Sequence, residues 1–290
     1  MTAIPAFTPH RYRSACGGLE LFARIYPAEG ETLLLMHGLT RNSADFEPLI
    51  PHLAGRYRLI VPDQRGRGLS EWDGDPANYR PDIYCADMVA LLDGLGIERA
   101  GLIGTSMGGL MAMGMHAMQP ARVSAIVLND VGPALEPAGL ARIQSYVGPG
   151  AAFTSWRQAA ERCAAINASA FPGFALSDWL AFAHRTCQQE ANGTVRFAYD
   201  PAISESMKGD RPATVPVDLW PLWDMLSAVP LLVLRGALSD LLSADTVAEM
   251  AQRHAGPFQA VEVPERGHAP LLDEPAVLAA LLPFLAAHVN

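Results

Sequence analysis

Ser106 stands in the run Gly104-Thr105-Ser106-Met107-Gly108-Gly109, with glycine two places before it and two places after. An apolar stretch leads into this run and a helical pattern, 106–119, leads out of it. A strand that reverses abruptly into a helix strains the residue at its apex and leaves no room for side chains beside it, so the G-x-S-x-G spacing reads as a nucleophile elbow. Such a turn lifts the serine oxygen to the carboxyl edge of a sheet, beside the first amides of a helix, where a developing oxyanion is stabilised. Glycine-rich strand-to-helix turns also cradle phosphates. The dinucleotide-binding turn would need glycine at position 106, and a P-loop would need Gly-Lys-Ser or Gly-Lys-Thr; neither is present.

A serine hydroxyl is a weak nucleophile at neutral pH and needs a base, itself oriented by an acid. Both must lie where strands end, on the edge that carries the serine. His268 meets this requirement, since it follows the last expected strand (258–263) across a short loop containing Gly267. His52, His116, His184, His254 and His288 fall in helical patterns or at the terminus, and His10 opens an edge strand. Two aspartates compete for the role of acid. Asp240 comes shortly after the penultimate strand (230–234) and Asp130 directly after the strand that follows the elbow helix (123–128). The chain order Ser, Asp, His with the acid late favours Asp240, leaving Asp130 to pin the entry to the next segment. The turn His37-Gly38-Leu39 ends a buried strand (32–36) and can aim the Leu39 amide at the same point as the Met107 amide, giving two oxyanion donors. The side chain of His37 reads as a core histidine bonded to the loop backbone.

These residues must be carried by alternating elements. Strands are expected at 10–14, 20–26, 32–36, 57–61, 99–105 and 123–128, and helices at 43–53 (capped by Ser43), 81–95 and 106–119. Asp63 and Arg65 sit on the glycine-rich loop after the fourth strand and are expected to pin it. Alternation of this kind demands a mainly parallel sheet with helices on both faces. The rhythm breaks over residues 134–216, where helical stretches (140–147, 155–167, 177–187) surround one strand-like piece, 194–199. This segment is expected to form a helical cap inserted into a core domain made of 1–133 and 217–290. Alternation resumes with a helix at 218–226, the strand 230–234, a helix at 245–253, the strand 258–263 and a final amphipathic helix at 275–287.

Composition limits what the site can serve. A chain of 290 residues with 50% hydrophobic content can bury a large core. A net charge of -9 and a pI near 5.3 disfavour nucleic acid and anionic membrane surfaces as partners. There is no basic segment followed by an apolar run at the start, so a cytoplasmic protein, monomeric or homodimeric, acting on a small-molecule substrate is expected. Lys208, the single lysine, removes most Schiff-base mechanisms. Cys16, Cys85, Cys163 and Cys187 lack metal-ligand spacing and are expected as packed, reduced thiols, with no metal site. Met107, Met111, Met113, Met115 and Met118 are expected as soft core packing.

The His-Gly turn, the Asp-x-Arg-Gly-x-Gly loop, Gly-Thr-Ser-Met-Gly-Gly, the Leu-Arg-Gly…Ser-Asp segment and the late Gly-His occur in one order. Together they resemble the α/β-hydrolase superfamily, over essentially the whole chain outside 134–216. The resemblance implies a core sheet of about eight strands with a catalytic triad at its carboxyl edge. It implies Ser106 as nucleophile, His268 as base, Asp240 as acid, the Leu39 and Met107 amides as oxyanion hole, and no cofactor. Within the superfamily the chain looks most like the lid-bearing group of esterases, enol-lactonases, C–C bond hydrolases of aromatic ring-cleavage pathways and perhydrolases. Epoxide hydrolases and haloalkane dehalogenases need Asp where Ser106 stands. Ring-cleavage hydrolases carry a glycine-rich segment after the His-Gly turn, whereas this chain has Leu39-Thr40-Arg41-Asn42. Arg41 is a candidate carboxylate anchor, and Trp156, Phe171, Phe174, Trp179 and Trp223 are candidate wall residues. The expectation is a serine hydrolase for an ester, lactone or similarly activated acyl bond of a small, partly apolar molecule. The alternatives are a C–C bond hydrolase with the same triad and a ligand receptor on a hydrolase scaffold.

Overall fold

The structure, a computed structural model, describes residues 4–148, 150, 152–207, 218–226 and 228–289. β1 (Thr8–Arg13) and β2 (Glu20–Tyr26) form an antiparallel hairpin, and the wholly buried β3 (Thr32–Met36) follows. The expected helix at 43–53 is split into a 3-10 turn, Ser43–Phe46, and the single-turn α1 (Ile50–Leu53). Its cap is Asn42, not Ser43: the Asn42 side chain accepts the Ala44 amide at 2.9 Å. Pro51, which has no N–H to donate, begins α1 afresh. Next come β4 (Arg58–Asp63), α2 (Pro81–Gly94), β5 (Ala100–Thr105), α3 (Met107–Met118) and β6 (Val123–Asn129).

After β6 the chain turns helical. α4 (Pro137–Tyr146), α5 (Trp156–Asn167) and α6 (Leu176–Thr186) precede a two-stranded antiparallel ribbon of β7 (Cys187–Gln189) and β8 (Val195–Phe197). β7 has three residues, too few for a periodic signal. Phe153, Ala160, Cys163, Trp179, Phe182 and Val195 give this insertion a hydrophobic core of its own. Pro216, the expected end of the cap, and Lys208 lie outside the described residues. α7 (Trp220–Asp224), β9 (Leu231–Gly236), α8 (Ala244–Arg253), β10 (Phe258–Val263) and α9 (Pro275–His288) complete the core.

The eight-stranded sheet has the order β1-β2-β4-β3-β5-β6-β9-β10, and only β2 runs against its neighbours. Side chains alternate across it with period two. In β3, Leu34 and Met36 join the layer under α2, α3 and α7, while Leu33 and Leu35 join the layer under α1 and α9. Burial on both faces explains why these strands read as unbroken apolar runs. Four of the five methionines around α3 are packed in the core; Met118, at its end, is exposed. Cys85, Cys163 and Cys187 are buried free thiols, whereas Cys16 is exposed, against expectation. No helix among the described residues is long and apolar enough to cross a membrane. Because β3, β5, β6, β9 and β10 run in parallel, the loops after all five open on one edge. That edge collects Leu39, Ser106, Asp130, Asp240 and His268.

Candidate active site

Ser106 sits at the apex between β5 and α3 with φ 53° and ψ −117°, in the left-handed region that a residue other than glycine enters only at a cost of order 1–3 kcal/mol. Its neighbours explain why the turn holds. A Cβ on Gly104 would stand 2.3 Å from the Gly108 carbonyl oxygen, and one on Gly108 would stand 2.0 Å from that of Met36. The strand, the helix and the end of β3 are therefore in backbone contact. The Ser106 amide donates to the Asn129 carbonyl at 3.0 Å, and the Asn129 side-chain amide bridges Thr105 Oγ1 (3.0 Å) and the Pro270 carbonyl (2.9 Å). One buried asparagine thus ties the elbow to the loop that carries His268.

His268 Nε2 lies 2.9 Å from Ser106 Oγ, and His268 Nδ1 lies 2.8 Å from Asp130 Oδ2. Asp130 is fully buried, and its carboxylate also accepts the Gly236 amide at 2.8 Å and the Ser239 hydroxyl at 2.6 Å. With Nδ1–H donating to Asp130, Nε2 is left as the acceptor for the serine proton. The expected partnership of His268 with Asp240 is not formed. Asp240 instead accepts a bidentate pair from Arg142 of α4, at 2.5 and 2.8 Å, and Arg142 holds its carboxyl below the usual carboxylate range. Asp130, the alternative acid, occupies the place.

Ser106 and His268 open into a cavity of about 90 Å³. Its walls come from the 38–45 loop and from the insertion: Ile143 and Tyr146 of α4, Cys163 and Ile166 of α5, Phe182 and Thr186 of α6, and Phe171, Phe197 and Tyr199. Among the described residues no group of three or more His, Cys, Asp or Glu side chains could hold a metal ion.

A family model described as the alpha/beta hydrolase fold matches residues 31–275. The chain belongs to the α/β-hydrolase family. It is 37% identical over 259 residues, 87% of each protein, to a 3-hydroxybutyrate-oligomer hydrolase of Cupriavidus necator. It is 30% identical to a 2-(acetamidomethylene)succinate hydrolase of Mesorhizobium japonicum, covering 77% of this chain and 76% of that one. The crystal structure of an α/β hydrolase from Novosphingobium aromaticivorans superimposes with a TM-score of 0.90 at 42% identity, covering 98% of this chain and 99% of that one.

Of the wall residues expected in this hydrolase, Arg41 and Phe171 line the cavity. Phe174 and Trp179 stand behind them, with ring centroids 4.7 and 6.0 Å from Phe171. Trp156 packs against His184 at 3.9 Å, away from the cavity. Trp223 is buried in the sheet layer against His254 and Phe258, at 5.9 and 6.3 Å, and is not a wall residue. Sequence reasoning missed Tyr146, Phe182, Phe197 and Tyr199. Phe182 and Thr186 were legible as an i, i+4 pair on one face of α6; the others carried no such signal.

The turn after β3 is over-determined. A Cβ on Gly38 would stand 3.6 Å from Ser106 Cβ, so the turn lies against the elbow. His37 Nδ1 is 2.7 Å from the Gly38 carbonyl, and Nε2 accepts the Gln64 amide at 3.1 Å. Burial pushes its ring pKa down to about 3, so His37 is a neutral clamp on the loop. Asp63 accepts the Ser43 and Leu69 amides at 2.6 and 2.8 Å, and Arg65 is held by Asp87 and Asp73; both pin the loop, as their glycine-rich setting suggests. Arg67, not singled out from sequence, is fully buried and donates to the Leu39 carbonyl at 2.9 Å and the Tyr84 hydroxyl at 2.8 Å. Its guanidinium also lies 3.7 Å from Met107 Sδ, so one cation touches both residues expected to form the oxyanion hole.

Proposed function

We propose that this hydrolase is a serine esterase that cleaves ester bonds in small, partly apolar hydroxyacid oligomers through an acyl-enzyme. The observation that carries this is the hydrogen-bonded chain Ser106–His268–Asp130, spaced at 2.9 and 2.8 Å at the floor of a cavity. The substrate class is supported by the relative named as a 3-hydroxybutyrate-oligomer hydrolase, whose substrates are chains of a short hydroxy acid.

The steps follow from the donors and acceptors. Ser106 Oγ attacks the ester carbonyl while His268 Nε2 takes its proton, and Asp130 stabilises the imidazolium through Nδ1–H. The Leu39 and Met107 amides hold the oxyanion, the second at the start of α3 where the helix dipole adds positive potential. His268 returns the proton to the departing alkoxide, which leaves as an alcohol. Water then attacks the acyl-enzyme with His268 again as base, releasing the acid and restoring Ser106. The insertion closes over this floor and selects the acyl and alcohol groups by the apolar walls of Tyr146, Phe182 and Phe197.

Hydrolysis of p-nitrophenyl butyrate and of 3-hydroxybutyrate dimers and trimers tests the proposal, with Ser106→Ala expected to lose about 10⁴-fold or more in kcat. Unchanged activity in Ser106→Ala would overturn it. Turnover of dienoic diketones without esters would instead support C–C bond hydrolysis, and tight ligand binding without turnover a receptor.

A further inference from the structure

Arg41 lines the cavity with its guanidinium carbon 4.0 Å above the ring of Phe182, and it pairs with Asp45 four residues on. Its Nε is buried and has no hydrogen-bond partner among the described residues. Arg185 immediately precedes the cavity residue Thr186, and its carbonyl accepts the Asn42 side-chain amide at 2.9 Å, which fixes it beside the 41–45 loop. Arg185 Nε is also buried and unpartnered, and Arg185 makes no ion pair among the described residues. The other acids nearby are engaged or face solvent. Glu47 is held by Arg24 at 2.7 Å, Glu274 by Arg266 at 2.8 Å, and Asp273 is exposed.

Arg41 and Asp45 line the cavity as an ion pair, and the Arg185 guanidinium feels the charge of both without pairing with either, so the three side chains carry one net positive charge. A buried unpaired donor is destabilising, and one beside a like charge more so, unless a ligand supplies the acceptor. Burial holds the Arg185 guanidinium below its ordinary pKa; Asp45 opposes this and Arg41 adds to it. An anion at this point would relieve both effects.

The spacing to Ser106 sets the size of that anion's carrier. Arg41 Cγ and Ser106 Cβ each lie 3.6 Å from the point where a Cβ would stand on Gly38, so they are no more than twice that distance apart. A single short hydroxyacyl unit spans that gap with the reach of the arginine side chain. We propose that Arg41 forms a carboxylate subsite, with the nearby Arg185 supplying the positive charge that Asp45 offsets, and that it receives the free acid end of a hydroxyacid ester whose scissile carbonyl lies at Ser106. This rests on the esterase assignment of Ser106 and adds to it that the enzyme selects free acids over neutral esters.

Calorimetric titration of the Ser106→Ala protein with the 3-hydroxybutyrate dimer as free acid and as methyl ester tests the subsite without turnover. The acid is expected to bind about tenfold or more tightly, as one charge-assisted hydrogen bond would give. In Ser106→Ala/Arg185→Gln the preference should collapse, and in Ser106→Ala/Arg185→Lys it should be largely kept. Equal binding of acid and methyl ester by Ser106→Ala would overturn the proposal whether or not the second-site variants fold. Preferential binding of the acid, with no ester turned over by the unmodified enzyme, would leave the subsite standing and remove the esterase assignment. Turnover of both esters with equal KM would do the reverse.

Discussion

Replacing Asp130 by Asn separates the two aspartates that could serve His268. Asp130 receives three donors: the Gly236 amide on Oδ1, and the Ser239 hydroxyl and His268 Nδ1–H on Oδ2. An asparagine offers one acceptor oxygen and one NH₂. If the NH₂ faces His268, it donates to Nδ1 and forces the proton onto Nε2, which then cannot accept from Ser106. If it faces Gly236, two N–H groups oppose each other at a fully buried position. The tautomer fault is worth about 10⁴-fold in kcat, on the order of 5 kcal/mol. Asp240→Asn removes a bidentate pair with Arg142 whose carboxylate side chain is 35% exposed, a loss of no more than about 1 kcal/mol of stability and little rate. Initial rates with p-nitrophenyl butyrate between pH 6 and 9, alongside thermal melts, distinguish the cases. The reasoning is refuted if Asp130→Asn keeps its melting temperature and loses less than about tenfold in kcat, or if Asp240→Asn loses as much as Asp130→Asn.

Two further outcomes follow from buried groups around the same edge. Arg67→Met keeps the volume but leaves the Leu39 carbonyl without its donor; kcat should fall about tenfold with little change in KM, since the Leu39 amide is no longer aimed, and an unchanged kcat would show that the turn holds itself. His37 has a folded pKa of about 3 against 6.5 for the free ring. The unfolded chain therefore binds a proton between those values that the folded chain does not. The stability His37 contributes is present above pH 6.5 and is lost as the pH falls toward 3. Urea midpoints should fall more steeply from pH 6.5 to 4 in the unmodified protein than in His37→Gln, and parallel slopes would contradict the assignment.

Ser106 and His268 were legible because their constraints are local. Gly104 and Gly108 are required by backbone contacts at 2.3 and 2.0 Å, with Gly108 itself and with Met36, and a strand followed by a short loop to Gly267-His268 has few places to go. The acid was not legible, and the sheet shows why. β6 and β9 are adjacent parallel strands with Asn129 opposite Leu234, so Asp130 and the 237–240 loop leave the sheet side by side. Strand order alone permits either carboxylate to reach His268. What decides between them is long-range: Gly236 at the end of β9 and Ser239 in the loop after it fasten Asp130 at 2.8 and 2.6 Å, while Arg142 draws Asp240 aside. Arg142 belongs to α4, whose docking on that loop is fixed by Gly139, where a Cβ would meet the Asp240 carbonyl oxygen at 2.6 Å. No periodicity records such a contact.

The same limit applies to the walls. Aromatic type put Trp223 and Phe171 on an equal footing, yet one packs under α3 in the sheet layer and the other faces Ser106. A hydrophobic helical stripe announces that a face is buried, without saying against what. In α6 the difference is a single turn: Trp179 stands behind Phe171, while Phe182 meets the cavity and carries Arg41 on its ring. Ser106 and His268 are thus placed by short-range backbone geometry, whereas Asp130 and the cavity walls depend on how distant segments dock. For that reason the ligand is inferred from Arg185, which no motif marks and which makes no ion pair among the described residues, and not from the aromatics that composition brings forward.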